Sequence, residues 1–168
     1  DDSAPTFVHF PILGRVEHIL TRVPLHGRDD DLVKIKTYVK DAPTQILGVG
    51  GLGKSRLAVE TMMTLDEIRG AVWHECSENS RALEVIDTLR NHFGLEPTSD
   101  NAEVLGKLRT HKRLIVLDNA ESIGENDERR VNYADLVKDL HHYGAQVLMT
   151  SRVEWEDIGK VRHVYEPP

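Results

Sequence analysis

The chain has 168 residues, 39% of them apolar, a formal net charge of −7 and a single cysteine. This is enough chain for one domain with a substantial core, its composition is that of a soluble globular protein, and its acidic balance argues against a non-specific nucleic-acid surface. Lone Cys76 excludes an internal disulfide framework and fits a reducing compartment, and no apolar run approaches the ~20 residues of a bilayer span, so a cytoplasmic location is expected.

Residues 1–24 are broken by Pro5, Pro11, Gly14 and Pro24 and read as an irregular arm or linker. Val8, Phe10, Ile12 and Leu13 in that stretch offer apolar surface to the body. The opening Asp1-Asp2-Ser3 is acidic where a signal peptide is basic, and no initiator Met is present, so a piece of a longer protein is expected. Residues 29–40 have helical spacing, with Leu32, Ile35 and Val39 on one stripe. Asp29, Asp30 and Asp31 lie in the first turn, where the helix dipole favours acids.

A short β-like run, Thr44-Gln45-Ile46-Leu47, leads into Gly48-Val49-Gly50-Gly51-Leu52-Gly53-Lys54-Ser55. This octamer fits the phosphate-loop pattern GxxxxGK[ST]. Gly50, Gly51 and Gly53 let the backbone turn sharply and aim N–H groups at an anion. Lys54 supplies a compact cation for β- and γ-phosphates, and the Ser55 hydroxyl is a Mg²⁺ ligand of the right hardness. The competing reading, an ordinary glycine-rich turn, loses to context. Leu57, Thr61, Leu65 and Ile68 recur at helical spacing just after the loop, and strand, loop, helix is the arrangement the motif requires.

Beyond this point strands and helices alternate. Residues 71–76 and 113–118 read as strands, the second an unbroken apolar run ending in Asp118. Residues 81–93, 102–110 and 131–143 read as helices, with Gly94 and Gly144 as stops. Residues 146–150 form a strand, residues 161–165 a candidate last strand, and residues 124–130 a charged, solvated loop. Apolar strands between amphipathic helices predict an α/β fold of three layers, with a parallel, roughly five-stranded sheet covered on both faces. Ligands of such sheets sit at the carboxyl ends of the strands. Gly48, Asp118 and Ser151 all fall there.

Asp118 follows four apolar residues on a central strand, where a carboxylate is expensive unless balanced. A water-liganded Mg²⁺ balances it; the alternative is an aspartate capping the following loop. Asn119 follows, where many ATPases carry a second acid, and an amide cannot act as a base. Glu121, two residues on, is the candidate replacement; the alternative is a solvated carboxylate. Arg152, after the strand ending at Thr150, is placed to sense a γ-phosphate or is a surface arginine.

His26-Gly27-Arg28-Asp29, the loop at 48–55, Leu-Ile-Val-Leu-Asp-Asn-Ala-Glu at 114–121 and Val-Leu-Met-Thr-Ser-Arg at 147–152 occur in this order. Their order and spacing resemble the signal-transduction ATPases with numerous domains, in particular the NB-ARC type, a branch of the P-loop NTPases. The resemblance covers residues 25–168. It implies a nucleotide-binding domain there, with Gly27 and Arg28 on the adenine and ribose side. Gly50, Gly51, Leu52, Gly53, Lys54 and Ser55 would hold the phosphates of ATP or ADP, and Arg56 would sit beside them. Ser55 and Asp118 would hold Mg²⁺, and Arg152 would sense the γ-phosphate. The family's helical lid and winged-helix domain have no counterpart in the chain. Asp29 stands where the family usually carries Glu.

His141 and His142 adjoin on a helix and point apart, while His74 and Cys76 lie two apart on a strand, so a transition-metal site is not expected. Trp73 and Trp155 read as packing residues. The expected function is a nucleotide-controlled switch of a signalling protein, self-associating in its ATP form and hydrolysing slowly, with no membrane or nucleic-acid partner. The alternatives are a turnover ATPase or phosphotransferase, with Lys54, Asp118 and Glu121 as its catalytic set, and a nucleotide-free scaffold.

Overall fold

The computed structural model describes residues 12–13, 29–48, 52–65, 68–158 and 162–165. Among the described residues six strands form one sheet: β1 (Ile12–Leu13), β2 (Thr44–Leu47), β3 (Ala71–Glu75), β4 (Leu114–Asp118), β5 (Gln146–Ser151) and β6 (Arg162–Tyr165). All neighbours run parallel, in the order β1-β3-β4-β5-β2-β6. The parallel sheet is as expected, with one strand more than the roughly five read from the sequence. Ile12 and Leu13, in the stretch read as an irregular arm, pair with Ala71 and Val72 and add an edge strand to β3. Two residues are too few for the period-2 signal that marks a strand in sequence.

Helices α1 (Asp29–Asp41) and α2 (Leu52–Thr64) cover one face. Their Ile35, Val39, Leu57, Ala58 and Met62 share a cluster with Ile46, Trp73, Leu114, Val116 and Leu148 of the sheet. Helices α3 (Leu83–His92), α4 (Asn101–Gly106) and α5 (Arg130–His142) cover the other, packing with Val72, Ile115, Leu117, Val147 and Met149. β4 explains its own sequence: Leu114 and Val116 face one cluster and Ile115 and Leu117 the other, so no position on it tolerates water.

The expected helix at 102–110 is α4 followed by a 3₁₀ turn over Lys107–Arg109. Gly94 and Gly144 take φ of +68° and +96° two residues past the last residues of α3 and α5, after the caps Phe93 and Tyr143. At both ends the next N–H reaches back, Leu95 to the Arg90 carbonyl and Ala145 to the Leu140 carbonyl, a closure that needs the left-handed residue glycine supplies.

The crossover order places the chemistry. β2, which carries the phosphate loop, and β4, which carries Asp118, are not neighbours; β5 lies between them. Three segments remote in sequence therefore end side by side at the carboxyl edge.

Candidate functional site

At that edge the Gly48 N–H donates to the Ser151 carbonyl at 3.2 Å, tying the end of β2 to the end of β5. α2 begins at Leu52, so Lys54 and Ser55 fall in its first turn, and both are buried. Gly53 is half-buried. Gly27, Arg28, Gly50 and Gly51 lie outside the described residues.

Asp118 is 2% exposed at the end of β4. Its Oδ1 accepts the Ser55 hydroxyl at 2.8 Å and the Thr150 hydroxyl at 2.6 Å. The proton positions follow from elimination. The Asn119 N–H donates to Thr150 Oγ1 at 2.9 Å, so that hydroxyl is an acceptor there and its one proton goes to Asp118. Two O–H donors converging on one oxygen compensate the carboxyl group for the water it gives up at this depth. The arrangement joins the phosphate-loop helix, β4 and β5 through one oxygen atom. Hydroxyl and carboxylate oxygens side by side form the hard-donor pair that Mg²⁺ takes.

Asn119 has φ +59° and ψ +47°, a left-handed residue at the exit of β4. Asparagine tolerates that region better than most side chains. The turn leads into a 3₁₀ segment, Ala120–Ser122. Glu121 in this segment accepts the Arg152 N–H on Oε1 at 3.1 Å, so it braces the backbone of the residue expected to sense the γ-phosphate. The Arg152 side chain is exposed. Arg56 pairs with Glu60 one helical turn on, at 2.8 Å.

Several residues of the site's frame were not singled out from the sequence. Thr150 is one: it is fully buried in β5 after the apolar run Val147 to Met149, between the buried polar residues Gln146 and Ser151 at the strand's ends. Gln45 is another. Its amide, also fully buried, donates to the Trp155 carbonyl at 2.8 Å and accepts the Trp155 N–H at 2.9 Å. Trp155 packs in the core as expected, with the Arg130 guanidinium 3.7 Å over its ring. The charged stretch at 124–130 is not merely a solvated loop. Arg130 opens α5 and pairs with Asp157, while Arg129 donates to the Ser77 and Ser80 carbonyls of the loop after β3.

That same loop is held from below. The Tyr133 hydroxyl lies 2.8 Å from His74 Nε2 and 2.9 Å from Ser80 Oγ. His74 ends up on this network while Cys76, beyond the end of β3, donates its N–H to the Asp118 carbonyl at 2.8 Å. Burial, then the Asp118 charge, pushes the Cys76 thiol up to about 12, which makes it an inert packing residue. Burial holds the His74 imidazole below its ordinary 6.5, opposed by the Glu84 charge. As pH falls through 6.5 the unfolded chain binds this proton before the folded one does, so stability declines on the acid side. Urea midpoints at about pH 7.5 and about pH 5.5 are expected to drop less for His74→Gln than for the wild type. An equal drop in both proteins removes His74 from the acid sensitivity.

Among solved structures the chain is similar to the ORC1 protein of Aeropyrum pernix, determined in complex with DNA. Identity is 13%, the TM-score is 0.62, and the match covers 90% of this chain and 47% of that one. The chain has a P-loop NTPase fold. It is also similar to DnaI, at 13% identity and a TM-score of 0.50, over 88% of this chain and 80% of that one. PCH-2 of C. elegans matches at the same identity and score, over 88% of this chain and 45% of that one. The chain thus spans about half the length of two of these structures. No family model and no curated protein matches it. No helix among the described residues is long and apolar enough to cross a membrane.

Proposed function

We propose that this P-loop domain binds ATP and ADP with Mg²⁺ and works as the nucleotide-controlled switch of a signalling protein, of the NB-ARC type. One observation carries the reading: Ser55 of the phosphate loop and Asp118 of β4 meet at 2.8 Å, with Thr150 closing the set. A glycine-rich turn with no ligand has no need of a buried acid joined to its first helical turn. Ser55 and Asp118 would hold the Mg²⁺, which neutralises charge on the β- and γ-phosphates when bound. Lys54 and the loop from Gly50 to Ser55 would hold the phosphates, Arg56 would stand beside them, and Gly27 and Arg28 would face the adenine and ribose.

The switch lies in a difference between states. A γ-phosphate contact from Arg152 exists with ATP and is absent with ADP, so the two nucleotides stabilise different conformations by the free energy of that contact. ATP-driven self-association and slow hydrolysis follow from the same reading, with Asn119 in place of a second acid.

Calorimetric titration of the protein with ADP and with ATP, each with Mg²⁺, tests it. Arg152→Ala is expected to weaken ATP by about 10-fold, the worth of one charge-assisted contact, while leaving ADP near the wild-type value. Equal losses for both nucleotides refute the sensor role, and no heat with either refutes the nucleotide reading.

A further inference from the structure

Glu75 ends β3 and is the register partner of Asp118 at the end of β4. Register partners on neighbouring strands put their side chains on the same face, with the strands about 4.8 Å apart. The alternation says which face. Trp73 and Val116, two residues earlier on each strand, both pack in the cluster with α2, and Asp118 itself meets Ser55 of α2. Glu75 therefore stands beside Asp118, on the phosphate-loop side, at the edge where ligands of this fold sit. The two carboxylates differ in circumstance. Asp118 is buried and holds two hydroxyls. Glu75 is exposed and makes no hydrogen bond or ion pair among the described residues.

We propose that Glu75 is the carboxylate that orients and deprotonates the attacking water during ATP hydrolysis, and so sets how fast the switch resets. The proposal rests on the nucleotide reading above. Asn119, one residue past Asp118, has an amide that takes no proton near neutral pH, and Glu121 lies beyond a left-handed turn with Oε1 accepting the Arg152 N–H. Glu75 reaches the same space from the adjacent strand. In the step, the water oxygen bonds to Pγ and the bond from Pγ to the bridging oxygen breaks, its electron pair staying on ADP. The water's proton passes to the Glu75 carboxylate and on to solvent, leaving ADP and inorganic phosphate.

Phosphate release at saturating ATP and Mg²⁺, with ATP affinity measured separately by titration, tests the assignment on the intact protein. Glu75→Gln is expected to lower kcat by about 10²-fold, the usual worth of a positioned base, with Kd for ATP changed by no more than about 2-fold. Glu75→Asp retains part of the rate, and Glu78→Gln, an exposed acid three residues on, is the matched control. A Glu75→Gln rate equal to wild type overturns the proposal, as does a loss of rate found with Glu121→Gln and not with Glu75→Gln. Wild-type protein that binds ATP and releases no phosphate also overturns it while leaving the binding reading intact; wild-type protein that binds neither nucleotide overturns both.

Discussion

Lys54→Ala is expected to abolish binding of both ATP and ADP, weakening each by at least about 100-fold in a calorimetric titration. The residue sits in the first turn of α2 with 2% of its surface exposed, so it is shielded from solvent. A phosphate there meets two favourable fields at once, the partly positive helix terminus and the Lys54 charge. The substitution removes the second and leaves the first. Charge-assisted hydrogen bonds are worth about 1.5–3 kcal/mol each, and two phosphate contacts account for the expected loss. Alanine is a strong helix former, so α2 is expected to persist. Far-ultraviolet circular dichroism of the variant separates loss of the site from loss of the fold. A folded Lys54→Ala protein with unchanged affinity removes the phosphate role from this residue.

Gln45→Leu is expected to destabilise the fold by about 2–5 kcal/mol, a large share of a typical domain's 5–15 kcal/mol. β2 explains why. Ile46 points to the cluster of α1 and α2, so Gln45 points to the opposite face, where Trp155 packs. Over β2 that face is covered by the segment following β5, and a buried loop brings backbone groups that need partners. One glutamine side chain satisfies both backbone polar groups of Trp155, N–H and C=O. Leucine has similar volume and neither function, so the cost is two orphaned groups at about 1–3 kcal/mol each. Gln45→Glu keeps an acceptor for the N–H and sets a second oxygen against the carbonyl, so it too is expected to destabilise. Urea unfolding with an unchanged m-value measures both variants. A Gln45→Leu midpoint equal to wild type shows that packing, not pairing, holds the loop. The loop also starts at Arg152, so the same glutamine fixes the root of the expected sensor.

The layers of the fold are legible along the chain because each element announces its period locally. The unbroken run at 114–118 requires burial on both sides, and it gets it. The stripe of Tyr133, Leu136, Val137 and Leu140 faces the core as its spacing implies. Gly94 and Gly144 stop their helices by a backbone requirement that no neighbour alters. The phosphate-loop motif can be read in the sequence because its residues are contiguous, since a loop that wraps an anion must be made of consecutive N–H groups.

What escaped is what depends on pairs distant in sequence. The Ser55–Asp118 bond spans 63 residues and the Thr150–Asp118 bond 32, while Gln45 and Trp155 lie 110 apart. Nothing local marks Thr150 as the third member of the set, or separates Gln45 from any other polar residue in a strand. Arg129 and Arg130 read as members of a charge run because a half-buried guanidinium held against carbonyls or a tryptophan ring looks, in one dimension, like one in solvent. Glu75 is the sharpest case. On the chain it is the polar end of a short strand; only the register of β3 against β4 sets it beside Asp118. Residue types and periods decide which segments are helix, strand and phosphate loop, since those choices are settled by each residue's own backbone and near neighbours. The strand order, the register and the meeting of three carboxyl ends are decided by crossovers between non-adjacent strands, and the site's pairings exist only once that order is formed.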